Sequence, residues 1–473
     1  MWSKIAKNTL WLVSGEMVGR LLRAAFIIYA ARALGVTNWG IFSYALSLAA
    51  ILTILSDFGT AAILTKELVK QPKRGEEYLA ISLILKGLFL LAAAVIALLS
   101  FWLVKMEISP LIIIATIILV IADSLRLLLI SLMRASEKMN LEAITNIAVQ
   151  LMITISGIVV IWQKPLVESL MIAYTISSAI GTIISFRLAA IPLRQLTPFL
   201  KFNLPLAKRI MTAAWPFAIV GLMTGFNLNI DIIMINWLRT LPEVGYYSAA
   251  QKVINLLYII PALIATASFP SFATLAGKDS LAFDKLLRGT LRVTMAIALP
   301  LVVGGIITGT SVIDILFGQE YQPAASTFKI LLLTILTNYP AIIVSNALLA
   351  NNQQREFVKY AAIGVGGNVL FNLLLIPHFG IEGAAFSTVI TQTLATTFIL
   401  YRMKRASDLA LPQQITKIVS ANLLMGMIVW LMSGLAINFF VILAAAIILY
   451  LFLLYLLKEP SLTKLFSFTL AKQ

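Results

Sequence analysis

Fourteen apolar runs, each about long enough to cross a membrane, decide what this chain can become. At about 1.5 Å per residue, about 20 residues cover a hydrocarbon core about 30 Å thick. The runs lie at about 8–31, 39–62, 78–104, 109–132, 143–162, 166–190, 208–236, 244–272, 289–311, 323–350, 357–377, 380–403, 415–434 and 437–457. Inside lipid every backbone N–H and C=O must be bonded within the protein, which leaves only helices and closed barrels. The runs are continuous and lack the ten-residue alternation of membrane strands, so helices are expected. Composition agrees: 60% of residues are hydrophobic and 12% charged, with a mean hydropathy of +0.97. A soluble domain is about half apolar and a quarter charged. The expected class is therefore an all-α polytopic membrane protein with about 14 transmembrane helices.

The start, MWSKIAKNTLWLV, places positive residues before an apolar run, but no small-residue cleavage site follows and Arg20 and Arg23 interrupt the run. It reads as a retained first helix and not a signal peptide. Cysteine is absent, which excludes disulfides and cysteine metal sites. The net charge of +16 finds its explanation in topology, with no nucleic acid needed. With a cytoplasmic amino terminus, 26 of the 36 Lys and Arg residues fall on inner segments, four (Arg32, Lys105, Lys164, Arg239) on outer segments and six within spans. The positive-inside rule then puts both termini in the cytoplasm, in a cell membrane.

A shadow of ARALGVTNWGIFSYALSLAAILTILSDFG (31–59) returns as NWLRTLPEVGYYSAAQKVINLLYIIP (236–261). A shift of 205 lays Gly40 on Gly245, Ser43 on Ser248 and Ala45 on Ala250. Segment 134–150 corresponds loosely to 349–366, and an offset near 215 brings Arg187 onto Arg402. Six helices separate the copies, so both keep one orientation, and a parallel six-plus-six pair is typical of secondary transporters that rock two lobes about a central substrate. The expected organisation is an N-lobe at 1–190, a cytoplasmic linker at 191–207 carrying Pro192, Pro198 and Pro205, a C-lobe at 208–403, and an appended helix pair with a tail at 404–473. No outer segment exceeds roughly fourteen residues, which leaves little room for an extramembrane active site, and an enzyme is not expected. No G-x-x-x-x-G-K-[ST] loop is present. The string AIGVGGN (362–368) lies inside an apolar helix and reads as close packing.

Ionisable groups inside spans mark functional sites by default. Glu16, Arg20 and Arg23 stand at i, i+4 and i+7, on one helical face. Glu16 can pair with Arg20, leaving one net positive charge directed at the bundle interior. Lys252 sits at a similar depth with Gln251 and Asn255 beside it, and Asp231 is placed to pair with Lys252. These seven residues form the expected substrate site, a cationic cavity for an anionic head group. Asp57, Lys86, Asp123 and Arg126 sum to zero and form a candidate cytoplasmic gate. For every one of these groups a structural ion pair or a snorkelling side chain is the alternative. Lys329 reads as snorkelling and His378 as a loop residue, since one histidine builds no metal site. Trp39, Tyr246 and Tyr247 begin helices at the outer interface, where amphipathic rings are favoured.

The pattern R-x-L-G-x-x-x-W-G-x-F-S from Arg32 to Ser43, with SDFG at 56–59, resembles the amino-terminal signature of the polysaccharide transporter family, the Wzx-type flippases. EVGYYSAAQKV (243–253) and FPSFATL (269–275) resemble its second-half signature. These motifs mark the wider superfamily of multidrug, oligosaccharidyl-lipid and polysaccharide exporters more securely than any one substrate. The resemblance implies translocation of a polyprenyl-diphosphate-linked oligosaccharide from the cytoplasmic to the outer leaflet by alternating access. The implied partners are membrane lipid, the lipid-linked substrate and polysaccharide polymerases or glycosyltransferases. No cofactor is expected, and a sodium or proton gradient is the candidate energy source. Arg20, Arg23 and Lys252 suit diphosphate chemically, because guanidinium forks and ammonium groups bind phosphate. Three alternatives stand beside this reading: a cation-coupled multidrug exporter, a flippase for a peptidoglycan or teichoic acid precursor, and a non-transporting membrane enzyme. Asp57 and Asp231 are open to both an ion-binding and a structural role.

Overall fold

The computed structural model describes residues 2–71, 74–103, 108–189, 203–406, 415–435 and 437–457; the side chains of 2–18, 20, 21, 103, 405, 406 and 415 lie outside that description. The long elements are all helices: α1 (Trp2–Asp57), α2 (Thr60–Lys70), α3 (Gly75–Leu103), α4 (Pro110–Ala135), α5 (Met139–Gln163), α6 (Val167–Ala189), α7 (Leu204–Leu238), α8 (Leu241–Leu257), α9 (Ile259–Leu275), α10 (Ser280–Phe317), α11 (Ala324–Ala350), α12 (Gln354–Ala406), α13 (Ile415–Ser433) and α14 (Phe439–Leu456). Among the described residues, twelve segments are long and apolar enough to cross a membrane. Two of them, Leu22–Lys70 and Gln354–Lys404, have 49 and 51 residues, about twice what one crossing needs. Each folds back at a glycine with positive φ, Gly35 at 73° in α1 and Gly380 at 58° in α12. Taken as two spans apiece they bring the total to the fourteen expected, with α2 completing the second span and α9 the eighth.

The repeat seen in sequence is reproduced in backbone detail. Lys138 N–H donates to Met133 O at 2.9 Å, and Gln353 N–H donates to Leu348 O at 2.9 Å, an offset of 215 in both partners. The turns between α4 and α5 and between α11 and α12 each pass through a left-handed residue, Glu137 at φ 55° and Asn352 at φ 58°, as helix carboxyl caps of this kind require. The second pair of repeats meets itself. A methyl group added to Gly40 would overlap the carbonyl oxygen of Leu241, and one added to Gly245 would overlap that of Val36. Positions 36 and 40 are related to 241 and 245 by the same shift of 205, so the contact is reciprocal. Only glycine at both places lets the two backbones touch.

The chain forms two compact units, Met1–Ser248 and Ala249–Gln473. In the first, α1 packs on α5 and α4, and α6 packs on α4 and α5, closing a four-helix ring. Helix α7 runs along α1, α2 and α3. Ile54 fills the space left by Gly221 and Gly225, spaced G-x-x-x-G on α7.

In the second unit α11 packs against α9, α10 and α12, and the last two helices, α13 and α14, pack on each other and on α10. Two prolines shape this unit. Pro300 inside α10 has no N–H for the carbonyl of Ala296, and the Tyr450 hydroxyl of α14 donates to that oxygen at 2.6 Å. Pro261 in the same way orphans Leu257 O at the break between α8 and α9, and Tyr339 of α11 donates to it at 2.7 Å. Between α8, α10, α11, α13 and α14 lies an apolar cavity of about 410 Å³, with Leu257, Leu301, Phe328, Met425 and Ile442 in its wall.

Candidate functional site

Charged side chains within the spans gather in the first unit in two clusters of different character. In one, Lys86 of α3 is fully buried and its ammonium group donates to Asp57 Oδ1 at 2.9 Å, Ser124 O at 2.9 Å and Ser124 Oγ at 3.0 Å. Ser56 Oγ donates to Ser124 Oγ at 2.8 Å and Thr60 Oγ1 to the Asp57 carbonyl at 2.7 Å. All three ammonium protons are used, which is the condition under which a buried charge is tolerated. Asp57 ends α1 immediately before Phe58 (φ 43°) and Gly59 (φ 73°), so the pair ties α3 and α4 to the break in the second span.

In the other cluster, Arg126 Nη2 donates to Asp123 Oδ1 at 2.8 Å and Ser178 Oγ of α6 donates to the same oxygen at 2.5 Å. Arg23 of α1 is exposed and its Nε donates to Gln150 Oε1 of α5 at 3.3 Å. Tyr174 of α6 lies within electrostatic reach of Arg23, Asp123 and Arg126 together, and its ring packs edge-on against Phe42 at 5.9 Å between centroids. Helices α1, α4, α5 and α6 thus each contribute to one polar cluster. Its depth is central: at about 1.5 Å per residue, Arg23 is about 18 Å from the Gly35 turn, and Asp123 about 20 Å from the Pro110 end of α4. Asp123 lies at the middle of α4, which extends from Pro110 to Ala135, and Arg126 lies about one turn further toward its carboxyl end.

The remaining expected site residues are placed as follows. Glu16 and Arg20 belong to α1, but their side chains lie outside the described residues. Asp231 is buried in α7 and accepts from the Tyr247 hydroxyl at 2.6 Å. Lys252, Gln251 and Asn255 lie on α8 in the second unit, Gln251 buried and the other two half-buried. Trp39 and Tyr247 are buried, so for these two the interfacial-belt expectation gives way to a packing role. Sequence reading missed Gln150, Tyr174, Ser178 and Ser124, which carry no charge. The available signal was a lone amide in the apolar run AVQLM and the polar string YTISS, both at the middle of their helices. Among the described residues no group of three or more His, Cys, Asp or Glu side chains could hold a metal ion.

With this geometry in place the comparisons with known proteins take on weight. The family model described as polysaccharide biosynthesis protein matches residues 5–276. The probable low-salt glycan biosynthesis flippase Agl15 of Haloferax volcanii is 22% identical over 83% of this chain and 82% of its own length. A putative O-antigen transporter of Shigella flexneri is 26% identical over 41% of this chain and 47% of its own. In fold, the chain is similar to the lipid II flippase MurJ in an inward closed conformation, with a TM-score of 0.73 at 15% identity, covering 95% of this chain and 99% of that one. An inward-facing multidrug resistance transporter of the MATE family gives a TM-score of 0.65 at 15% identity over 84% and 97% of the two chains.

Proposed function

We propose that this chain, which belongs to the polysaccharide biosynthesis protein family, is a flippase that carries a polyprenyl-diphosphate-linked oligosaccharide from the cytoplasmic to the outer leaflet of the cell membrane. The observation that carries the reading is the relative named as a glycan biosynthesis flippase, aligned over 83% of this chain. The protein is a multi-pass membrane protein and a transporter in class. The two lobes act as alternating walls around the head group, with both termini cytoplasmic as the positive-inside distribution requires. Polymerases or glycosyltransferases of the same polysaccharide are the partners that supply and consume the lipid.

In this reading Arg20, Arg23 and Lys252 hold the diphosphate, since guanidinium and ammonium groups placed in a low-dielectric cavity bind phosphate oxygens strongly. Glu16, Asp231, Gln251 and Asn255 orient these cations. The saturated Asp57–Lys86 pair braces the second span where it breaks. Free energy comes from a sodium or proton gradient, and Asp57 and Asp231 are the carboxylates on which such coupling would act.

The test uses vesicles that contain the purified protein and a fluorescent polyprenyl-diphosphate glycan loaded in one leaflet. The native protein is expected to expose the lipid to an external quencher, and Arg20→Ala with Arg23→Ala to abolish exposure while leaving the melting temperature within a few degrees. Movement of a cationic dye in place of the lipid would transfer the assignment to a multidrug exporter.

A further inference from the structure

The two charged clusters of the first unit differ in one respect that separates a structural role from a binding role. Lys86 has no exposed surface and every ammonium proton has an acceptor. The Asp123 and Arg126 side chains retain 26% and 17% of their surface. Both donors to Asp123, Arg126 and Ser178, use Oδ1, so Oδ2 has no partner among the described residues. Arg126 has five N–H donors in a fixed fork and gives one of them to Asp123. The Tyr174 hydroxyl also has no hydrogen-bond partner among the described residues.

An ion pair at mid-membrane depth returns its desolvation penalty only when its remaining lone pairs and protons are satisfied. This pair is half satisfied and accessible, on a helix whose buried face is mainly apolar, Leu119 and Leu128 among it. We infer that Asp123, Arg126 and Tyr174, flanked by Arg23 and Gln150, form a subsite for the hydroxyl groups of a sugar ring. A hydroxyl donates one hydrogen bond and accepts others, and neighbouring hydroxyls on a ring can give to a carboxylate while taking from a guanidinium. Asp123 and Arg126 neutralise each other, and their spare acceptor and spare donors suit an uncharged polyol, which can give to one and take from the other. The inference rests on the flippase reading and deepens it, by assigning glycan recognition to the α4–α6 wall beyond the cations that hold the diphosphate.

The experiment uses two polyprenyl-diphosphate lipids in the same vesicles, one carrying a single N-acetylglucosamine and the other a trisaccharide of N-acetylglucosamine. Transfer is read as accessibility to an added lectin. Asp123→Asn and Tyr174→Phe are expected to raise the apparent KM for the trisaccharide lipid by about tenfold, the scale of one lost hydrogen bond to a charged group, while the monosaccharide lipid stays near native. Equal effects on both lipids, or no effect on either, would overturn the subsite. Tyr174→Phe keeps the ring and the fold, so misfolding of the Asp123 variant does not decide the matter. If the native protein moves neither lipid, the flippase reading fails. The subsite is then judged by binding of the free trisaccharide to the protein in nanodiscs, where binding lost in Asp123→Asn sustains it and absence of binding in the native protein overturns it.

Discussion

The two units differ in how they bond the polar groups that stand out within their helices. The first unit uses charge: Lys86 on Asp57, Arg126 on Asp123, Arg23 on Gln150. The second has its ion pairs at the ends of α12, where Glu356 meets Lys359 and Arg402, and elsewhere uses neutral groups: tyrosines on carbonyls freed by proline, and an amide and hydroxyl net in which Asn372 donates to Asn368 at 2.8 Å and Ser387 to the Asn368 carbonyl at 3.1 Å. A charge inside a membrane is expensive and tends to be retained where a ligand or a switch uses it. A tyrosine that answers a proline-freed carbonyl keeps a helix intact where the ladder is interrupted. The difference teaches that a charge and a freed carbonyl make different demands on the helices around them, the one for several acceptors and the other for a single donor.

The sharpest way to break this comparison is to remove one member of the saturated pair. Lys86→Ala should destabilise the protein by about 3–5 kcal/mol, because it leaves the half-buried Asp57 without its cation and Ser124 without its donor, and thermal unfolding in detergent would register it. The double variant Lys86→Met with Asp57→Leu should recover most of that loss. If it does not, the pair does more than brace. Next in size, Gly40→Ala and Gly245→Ala should each cost about 1–3 kcal/mol by overpacking, and the double variant should cost less than their sum since both act on one contact. In the second unit, Tyr450→Phe and Tyr339→Phe should each cost about 1–3 kcal/mol, the penalty of a carbonyl left unbonded, with little change in transport. Smallest of all, Arg239→Ala should change stability by less than about 1 kcal/mol, because its bridge to Glu243 is partly exposed.

Much of the architecture was legible before any coordinates. Apolar run length gave the spans because lipid leaves the backbone few choices, and the shift of 205 matched Gly40 with Gly245, though only packing reveals that the backbones touch there. Legible too was the second repeat, whose offset of 215 recurs in the turn hydrogen bonds. The charges Asp57, Lys86, Asp123 and Arg126 were visible in the apolar runs, and packing sorts them into two separate ion pairs, Asp57 with Lys86 and Asp123 with Arg126. Pro300 and Pro261 announce orphan carbonyls from sequence, but Tyr450 and Tyr339 are 150 and 78 residues further on, and only packing selects them. Gln150, Tyr174 and Ser178 escaped for a related reason: uncharged polar residues are common in apolar helices, and their meaning appears only when four helices bring them together.

The measurement that bears most directly on the central claim compares cargo of opposite charge in one preparation. Vesicles holding the native protein would be loaded with a fluorescent polyprenyl-diphosphate glycan and, separately, with a cationic dye, and the rate of transfer of each followed with and without imposed sodium and proton gradients. The account predicts transfer of the lipid-linked glycan, loss of that transfer in Arg20→Ala with Arg23→Ala, and no transport of the dye. Transport of the dye with the glycan lipid left in place would contradict it.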